Sequence, residues 1–468
     1  MFSTIPGASE SGEIDVEFRG KAQSVVVYDV PGSEEAVQNI VFEHELFSPL
    51  GPGKVYAEVE AEGPFATDAS KFALFGAATA AWILQSPERP DVVHVHDWHA
   101  AFYFLLRDFD PRYEKLQEIQ TVFTIHNIAY QGTRPLAGHE SSLQAWFPDV
   151  VFETAIVRDP HATDCVNPLA LAIRSADKVS TVSPTYAQEI RRPSDPARGF
   201  FGGEGLEVQL ENAARAGRLV GILNGCEYNG NSDRRPRWQR ILAMVSDQVN
   251  AWVATDPDDK AHALAQSRLP SLPQNRPEHV MVSIGRLVRQ KVSLFLEPLA
   301  DGRSALEHIL DRIGTNSVVF LLGSGEAEFE QRVLKIAARY EQLLFLRGYS
   351  ETLADPLYRG GDLFLMPSSF EPCGISQMLA MRAAQPCVVH AVGGLCDTVK
   401  DAKTGFVFSG DHPAEQATGF VAAVDRALAM KTGDNDRWQT LCIRAASERF
   451  DWKRSAQQTV DALYEPQP

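Results

Sequence analysis

The chain has 468 residues, 44% hydrophobic and 22% charged, enough for two domains of roughly 200 residues each. Its 61 acidic against 44 basic residues give a formal charge of −17, which argues against nucleic acid or an anionic membrane as partner while leaving room for a local basic cleft. Six scattered cysteines without a CxxC pair read as reduced thiols of a cytoplasmic protein, and neither a bilayer-length apolar stretch nor a secretory signal is present.

Short apolar runs alternate with helix-length segments along the chain: Ser24 to Val30, Val92 to His96, Thr121 to His126, Lys178 to Val182, Val280 to Ile284, Ser317 to Leu322, Leu343 to Leu346, Leu363 to Pro367 and Cys387 to His390. This pattern predicts an α/β protein of two doubly wound, Rossmann-like domains, each a parallel sheet with helices on both faces. Between Cys226 and Pro277 the pattern gives way to turn and breaker residues, Asn-Gly-Asn-Ser-Asp-Arg-Arg-Pro-Arg and Leu-Pro-Ser-Leu-Pro-Gln-Asn-Arg-Pro, so the domain junction is expected there. Two such domains face each other across a crevice at the carboxyl ends of their strands, where open parallel sheets bind ligands.

The polar motifs fall at those strand ends. His94, His96 and His99 surround Asp97 and Trp98; a metal site is conceivable, but strand alternation puts His94 and His96 on one face and His99 in the next helix, which favours a polar lip with Trp98 as a packing or sugar-stacking ring. His126 ends the run Val122 to Ile125 before a glycine-containing loop, where it either reaches a substrate hydroxyl or is a satisfied buried histidine. Arg286 and Lys291 follow the strand ending at Ile284-Gly285; fixed cations there either stabilise charge on a departing phosphate or are solvated on a surface turn. Gly323-Ser324-Gly325 reads mainly as a tight turn. The block Phe370-Glu371-Pro372-Cys373-Gly374-Ile375-Ser376-Gln377 carries a carboxylate at a strand-to-helix junction, a pairing that suits a sugar joined to a phosphate or, more simply, an ordinary helix start.

Taken in order, HVHDWHAA, VFTIHNIAYQG, ADKVSTVSPTYAQEI, GGEGLE, GRLVGILNGCEY, SIGRLVRQK, FLLGSGE, PSSFEPCGISQ and VGGLCDTV with GFVF resemble the bacterial glycogen and starch synthases, retaining glycosyltransferases of the two-Rossmann-domain (GT-B) type. The resemblance implies transfer of glucose from ADP-glucose to the non-reducing end of an α-1,4-glucan, glycogen or a maltooligosaccharide, without cofactor or metal. Arg286 and Lys291 match the family's diphosphate-neutralising cations and Glu371 its carboxylate facing the donor glucose, while His126 and Asn224 match groups around that glucose. Gly374, Ile375 and Ser376, with Cys373 beside them, match the helix start that holds the phosphates; Tyr349 matches a ring that stacks on the base, and Asp97 and His99 match acceptor-side positions. Bulky alkylation of Cys373 is expected to block the donor. Residues 1–224 then form the acceptor-side domain, 225–452 the donor domain, and 453–468 a helix that packs back on the first domain.

The resemblance departs at the start. Family members begin with a strand and a Lys-x-Gly-Gly loop, and nothing in Met1 to Val30 matches it; the chain reads as entering at the family's second or third strand, Ile14 to Arg19 and Ser24 to Val30. Three readings follow: an active α-glucan synthase; a glucan- or nucleotide-binding relative with little or no turnover; and a related retaining transferase using another nucleotide sugar.

Overall fold

A computed structural model describes residues 7–32, 37–47, 56, 66–228 and 235–465. Its start departs from expectation. β1 (Ser9–Phe18) pairs antiparallel with β2 (Lys21–Pro31), and β2 with β3 (Gln38–Glu43), forming a separate three-stranded sheet. Ile14 to Arg19 and Ser24 to Val30 are therefore not strands of a parallel sheet. The cause is local: Ile14, Val16 and Phe18 are buried while Asp15 and Glu17 are exposed, the period-two pattern of a half-covered strand. Arg19 (φ 57°) and Gly20 (φ 66°) supply the two left-handed positions of a two-residue hairpin turn. The hairpin's buried face packs on α1 (Ala66–Gln85), where Ala69, Ala73, Ala77 and Ala80 are fully buried.

The N-terminal parallel sheet contains β4 (Val92–His96), β5 (Gln120–Ile125), β6 (Lys178–Thr181) and β7 (Leu219–Gly221) in sequence order, with β4 at an edge among the described residues. The short α2 (Pro184–Glu189) leaves β6 at its carboxyl end, and Ser183 caps it by accepting from Tyr186 N at 3.2 Å.

The predicted irregular junction is largely folded. Residues 229–234, which carry most of its first turn signal, lie outside the described residues, but α3 (Trp238–Thr255) and a helix over Lys260–Arg268 follow. Trp238, Ile241, Val245 and Val249 recur at helical spacing and bury against Phe320 and Leu344 of the C-terminal sheet, which outweighs the flanking prolines and arginines.

That sheet comprises β8 (His279–Ile284), β9 (Ser317–Gly323), β10 (Leu343–Arg347), β11 (Leu363–Met366), β12 (Cys387–His390) and β13 (Gly405–Phe408), all parallel in the spatial order β10-β9-β8-β11-β12-β13. Alternate residues go to opposite cores: Met281, Val319, Leu321, Phe345 and Leu365 to one face, Val282, Phe320, Leu322, Leu346 and Phe364 to the other. Covering both faces is why these strands read as continuous apolar runs. The order reverses between β8 and β11, and the crevice of a doubly wound sheet opens at such a switch point. Four helices complete the site's framework: α4 (Arg289–Leu296) after β8, α5 (Ser376–Arg382) after β11, α6 (Gly393–Thr398) after β12, and the long α7 (Pro413–Gly433).

The chain crosses between the halves near residues 224–228 and returns near 448–452, where Cys226 N donates to Phe450 O at 2.6 Å and Phe450 N to the Tyr228 hydroxyl at 3.0 Å. After α8 (Trp452–Thr459) a wider helical turn over Val460–Tyr464 reaches the N-terminal sheet. There the Tyr464 hydroxyl meets His94 Nδ1 at 2.8 Å, and Gln120 Nε2 donates to Leu463 O at 2.7 Å.

The hairpin turn is testable. A β-branched residue at Gly20 has space, the nearest side-chain atom being Pro148 Cγ at 3.6 Å from an added Cβ, but it must hold φ near +66°. Gly20→Val is expected to lower unfolding stability by about 1–2 kcal/mol in urea titration; an unchanged midpoint would show that the turn relaxes without cost.

Candidate active site

On the C-terminal side, Arg286, Lys291, Ser368 and Ser376 line one small pocket between the ends of β8 and β11. Glu371 is only 5% exposed. Lys291 on α4 is ion-paired with Glu371 Oε2, and Ser368 Oγ donates to the same oxygen at 3.0 Å. Gly394 N, in the first turn of α6, donates to Glu371 O at 3.0 Å. This contact requires an unusually close approach: a Cβ on Gly394 would lie 2.3 Å from Cys373 O, and one on Gly393 1.9 Å from Glu371 O. Gly374 (φ 77°) turns the chain into α5, leaving Ile375 partly exposed and Ser376 Oγ 3.5 Å from Ile284 O. Tyr349, in the loop after β10, is 79% exposed and offers an uncovered ring.

On the N-terminal side, Asp97 (φ 54°) accepts from His126 N at 2.7 Å, which ties the end of β4 to the end of β5. His126 Nε2 lies 3.0 Å from His96 Nδ1, and His96 stacks on His94 with ring centres 4.3 Å apart. His94 Nε2 continues the chain to Thr124 Oγ1 at 2.6 Å. His99 stacks on Trp98 and meets the Tyr56 hydroxyl at 2.8 Å. Burial, reinforced by neighbouring cationic partners, drives these rings toward neutrality: His94 falls to about 3 and His96 and His99 to about 4. Burial pushes Asp97 upward, opposed by the backbone amides of His126 and Asn127.

The two halves meet at particular atoms. Burial and the carboxylates of Asp97 and Asp68 raise the Tyr56 phenol, and Arg286 from the other domain opposes them. The Asn224 backbone hydrogen-bonds the Cys373 thiol, Ser183 Oγ donates to Pro372 O at 2.6 Å, and Thr185 donates to Asp397 through both N (2.9 Å) and Oγ1 (2.8 Å). Gly393 N donates to Glu189 Oε1 at 2.9 Å. The predicted residues thus form two groups, Arg286, Lys291, Glu371, Cys373, Gly374 and Ser376 against Asp97, His99 and His126, with Asn224 between and Tyr349 further out.

One pair of alternatives is decided and one expectation changes. Trp98 is 2% exposed and wedged among Phe72 and His99, so it packs and cannot stack on a sugar. Cys373 is 4% exposed and burial pushes its thiol to about 12, so it does not present the reactive thiolate that the expected alkylation needs. Sequence reasoning passed over Tyr56, Ser183, Thr185 and Glu189, although a Ser-Pro step after an apolar strand is itself a helix-start signal. It also passed over Gln377, fully buried beneath the Glu371 loop, whose Nε2 donates to Cys373 O at 3.1 Å and Gly374 O at 3.0 Å.

Comparison with known proteins gives the same picture. Residues 4–212 match the starch synthase catalytic domain and residues 267–439 the group 1 glycosyl transferases. A glycogen synthase of Desulfitobacterium hafniense is 34% identical over 408 residues, 85% of this chain and 77% of that one. One from an Anaeromyxobacter species is 35% identical over 433 residues, 90% and 82% of the two chains. The catalytic domain of starch synthase IV from Arabidopsis thaliana, solved with ADP and acarbose, superposes with a TM-score of 0.73 at 26% identity, covering 98% of this chain and 88% of that one. Two Rossmann-like domains with a switch-point site define a GT-B glycosyltransferase. Within that class, the chain belongs to the glycogen and starch synthases.

Because His94, His96 and His99 titrate lower folded than unfolded, the unfolded chain binds more protons between about pH 4 and 6.5, and stability must rise with pH across that window. Thermal midpoints measured from about pH 5 to 6.5 are expected to climb, and less steeply in His94→Asn; parallel profiles would mean that His94 is charged in the folded protein. Gly394→Ala is expected to displace the Glu371 loop and reduce kcat by about 10²-fold with an unaltered far-UV spectrum. Full activity in that variant would show that the close approach is not what positions Glu371.

Proposed function

We propose that this glycogen/starch synthase takes ADP-glucose as donor and extends the non-reducing 4-hydroxyl of glycogen or a maltooligosaccharide, with retention at the anomeric carbon and without a resident cofactor or metal. One observation carries the reading: the buried Glu371, the half-buried Lys291 and the exposed Arg286 converge at the switch point, where a sugar diphosphate meets a carboxylate and cations together. As the bond to the leaving diphosphate breaks, charge grows on its oxygens, and Arg286 and Lys291 stabilise that state more than the ground state. Glu371 accepts from the glucose hydroxyls, with His126 and Asn224 on its other side, and Gly374 to Ser376 receive the phosphates. The acceptor enters past Asp97 and His99. No protein nucleophile is assigned: the acceptor attacks from the face the diphosphate leaves, and the diphosphate takes its proton. Keeping the histidines neutral lets them bond hydroxyls without repelling those cations.

Adenine as the base is supported by the Arabidopsis relative, solved with ADP, and Tyr349 is the ring proposed to receive it. No helix among the described residues is long and apolar enough to cross a membrane, and all six cysteines are unpaired, in keeping with a cytoplasmic setting. Incubation with ADP-glucose and glycogen is expected to release ADP and lengthen the glucan. Equal turnover of UDP-glucose would overturn the donor assignment, and binding without release from either would favour a non-catalytic relative. Lys291→Ala or Arg286→Ala is expected to lower kcat by about 10²-fold with a smaller change in donor affinity. A change confined to glucan affinity would refute the leaving-group role.

A further inference from the structure

The amino ends of the C-terminal strands carry a cavity of about 810 Å³ that the catalytic reading does not use. Its walls bring together Arg235, Arg276, Arg359, Arg382, Lys431 and Arg449 against only two carboxylates, Asp355 and Asp362, an excess of four positive charges in a chain whose formal charge is −17. Asp362, at the start of β11, serves three of them: Arg276 at 2.7 Å, Arg235 at 2.8 Å and Lys431 at 3.5 Å. Although burial works the other way, these cations hold its carboxyl below the usual range. Asp355 pairs with Arg359 at 2.6 Å. Arg382 and Arg449 have no ion-pair partner among the described residues; Arg382 donates to Glu227 O, while Arg449 donates to Glu448 O at 3.0 Å and lies 5.0 Å from the ring centre of Tyr228.

Bringing so many cations together costs free energy that two carboxylates do not offset, and a multiply charged anion would relieve it. The cavity is also not the donor site seen from behind. Arg286 and Ser368 lie at the carboxyl ends of β8 and β11, whereas Asp362 precedes β11, so the length of that strand, about 13 Å at 3.3 Å per residue, separates them. We propose that this cavity is a second anion site, for a phosphorylated small molecule, on the back of the donor domain. Its wall includes Tyr228 and Arg449, which lie on the two chain crossings between the domains, so an occupant there touches both crossings.

The test titrates inorganic pyrophosphate calorimetrically into the full chain, an Arg286→Ala/Lys291→Ala variant and an Arg382→Glu/Arg449→Glu variant. Two sites are expected in the unaltered protein. The first variant should keep the cavity site, and the second should lose it while still binding pyrophosphate at the donor cleft, which also reports that it is folded. Weakening at the cavity is expected to exceed about tenfold at low salt and to shrink as salt rises and screens the lost charge contacts. Titrating AMP and ribose 5-phosphate into the first variant separates a nucleotide from a sugar phosphate as the preferred occupant. The proposal is overturned if that variant binds none of the three, or if Arg382→Glu/Arg449→Glu retains both sites. Because the first variant lacks the catalytic cations, either result is independent of the donor assignment.

Discussion

Glu371 is a carboxylate placed where water is largely excluded, and the architecture around it exists in a form that makes this tolerable. A buried ion costs several kcal/mol unless it is paired and hydrogen-bonded. Lys291 and Ser368 both reach one oxygen of Glu371, and Gly394 fixes its backbone carbonyl. These partners come from α4, the end of β11 and the start of α6, so the carboxylate is satisfied only when β8, β11 and β12 lie side by side. The strand order of the sheet and the chemistry of the site are therefore one constraint.

The cleft's two walls solve opposite electrostatic problems. The wall of Arg286 and Lys291 places cations within an acidic protein, and the facing wall is a polar surface of imidazoles stripped of charge by burial. If those rings were protonated, they would repel Arg286 and Lys291 across the cleft. A neutral imidazole offers hydroxyls one donor and one acceptor nitrogen, as His94 does to Tyr464 and Thr124.

Polar contacts couple the domains, beside the two chain crossings, the Phe201–Phe370 ring pair and the packing of Cys373 and Met378 on the N-terminal core. Ser183, Thr185 and Glu189 on and beside α2 grip Pro372, Asp397 and Gly393, the same loops that position Glu371. Burial pushes Glu189 up to about 7, helped by Asp397 and opposed by Gly393 N, so one member of this grip changes charge near neutrality. Hydrogen bonds of this kind exchange for water at a small net cost.

Residue patterns in the chain were enough to determine the α/β class, the positions of most of the parallel strands and the identity of the polar groups at their ends, because a strand covered on both faces must be continuously apolar and a site must sit where such a strand stops. The alternation of Ile14, Val16 and Phe18 before Arg19-Gly20 also encoded the hairpin, but it was subsumed under a repeating parallel pattern; the helix beginning at Trp238 was masked by the prolines and arginines around it. What only the tertiary structure decided was partnership. Lys291 meets Glu371 across 80 positions and Ser183 meets Pro372 across 189, Cys373 and Trp98 turn inward, and cations from Arg235 to Arg449 gather round one cavity. Such contacts depend on how strands order and domains dock, and residue spacing along the chain carries no trace of either.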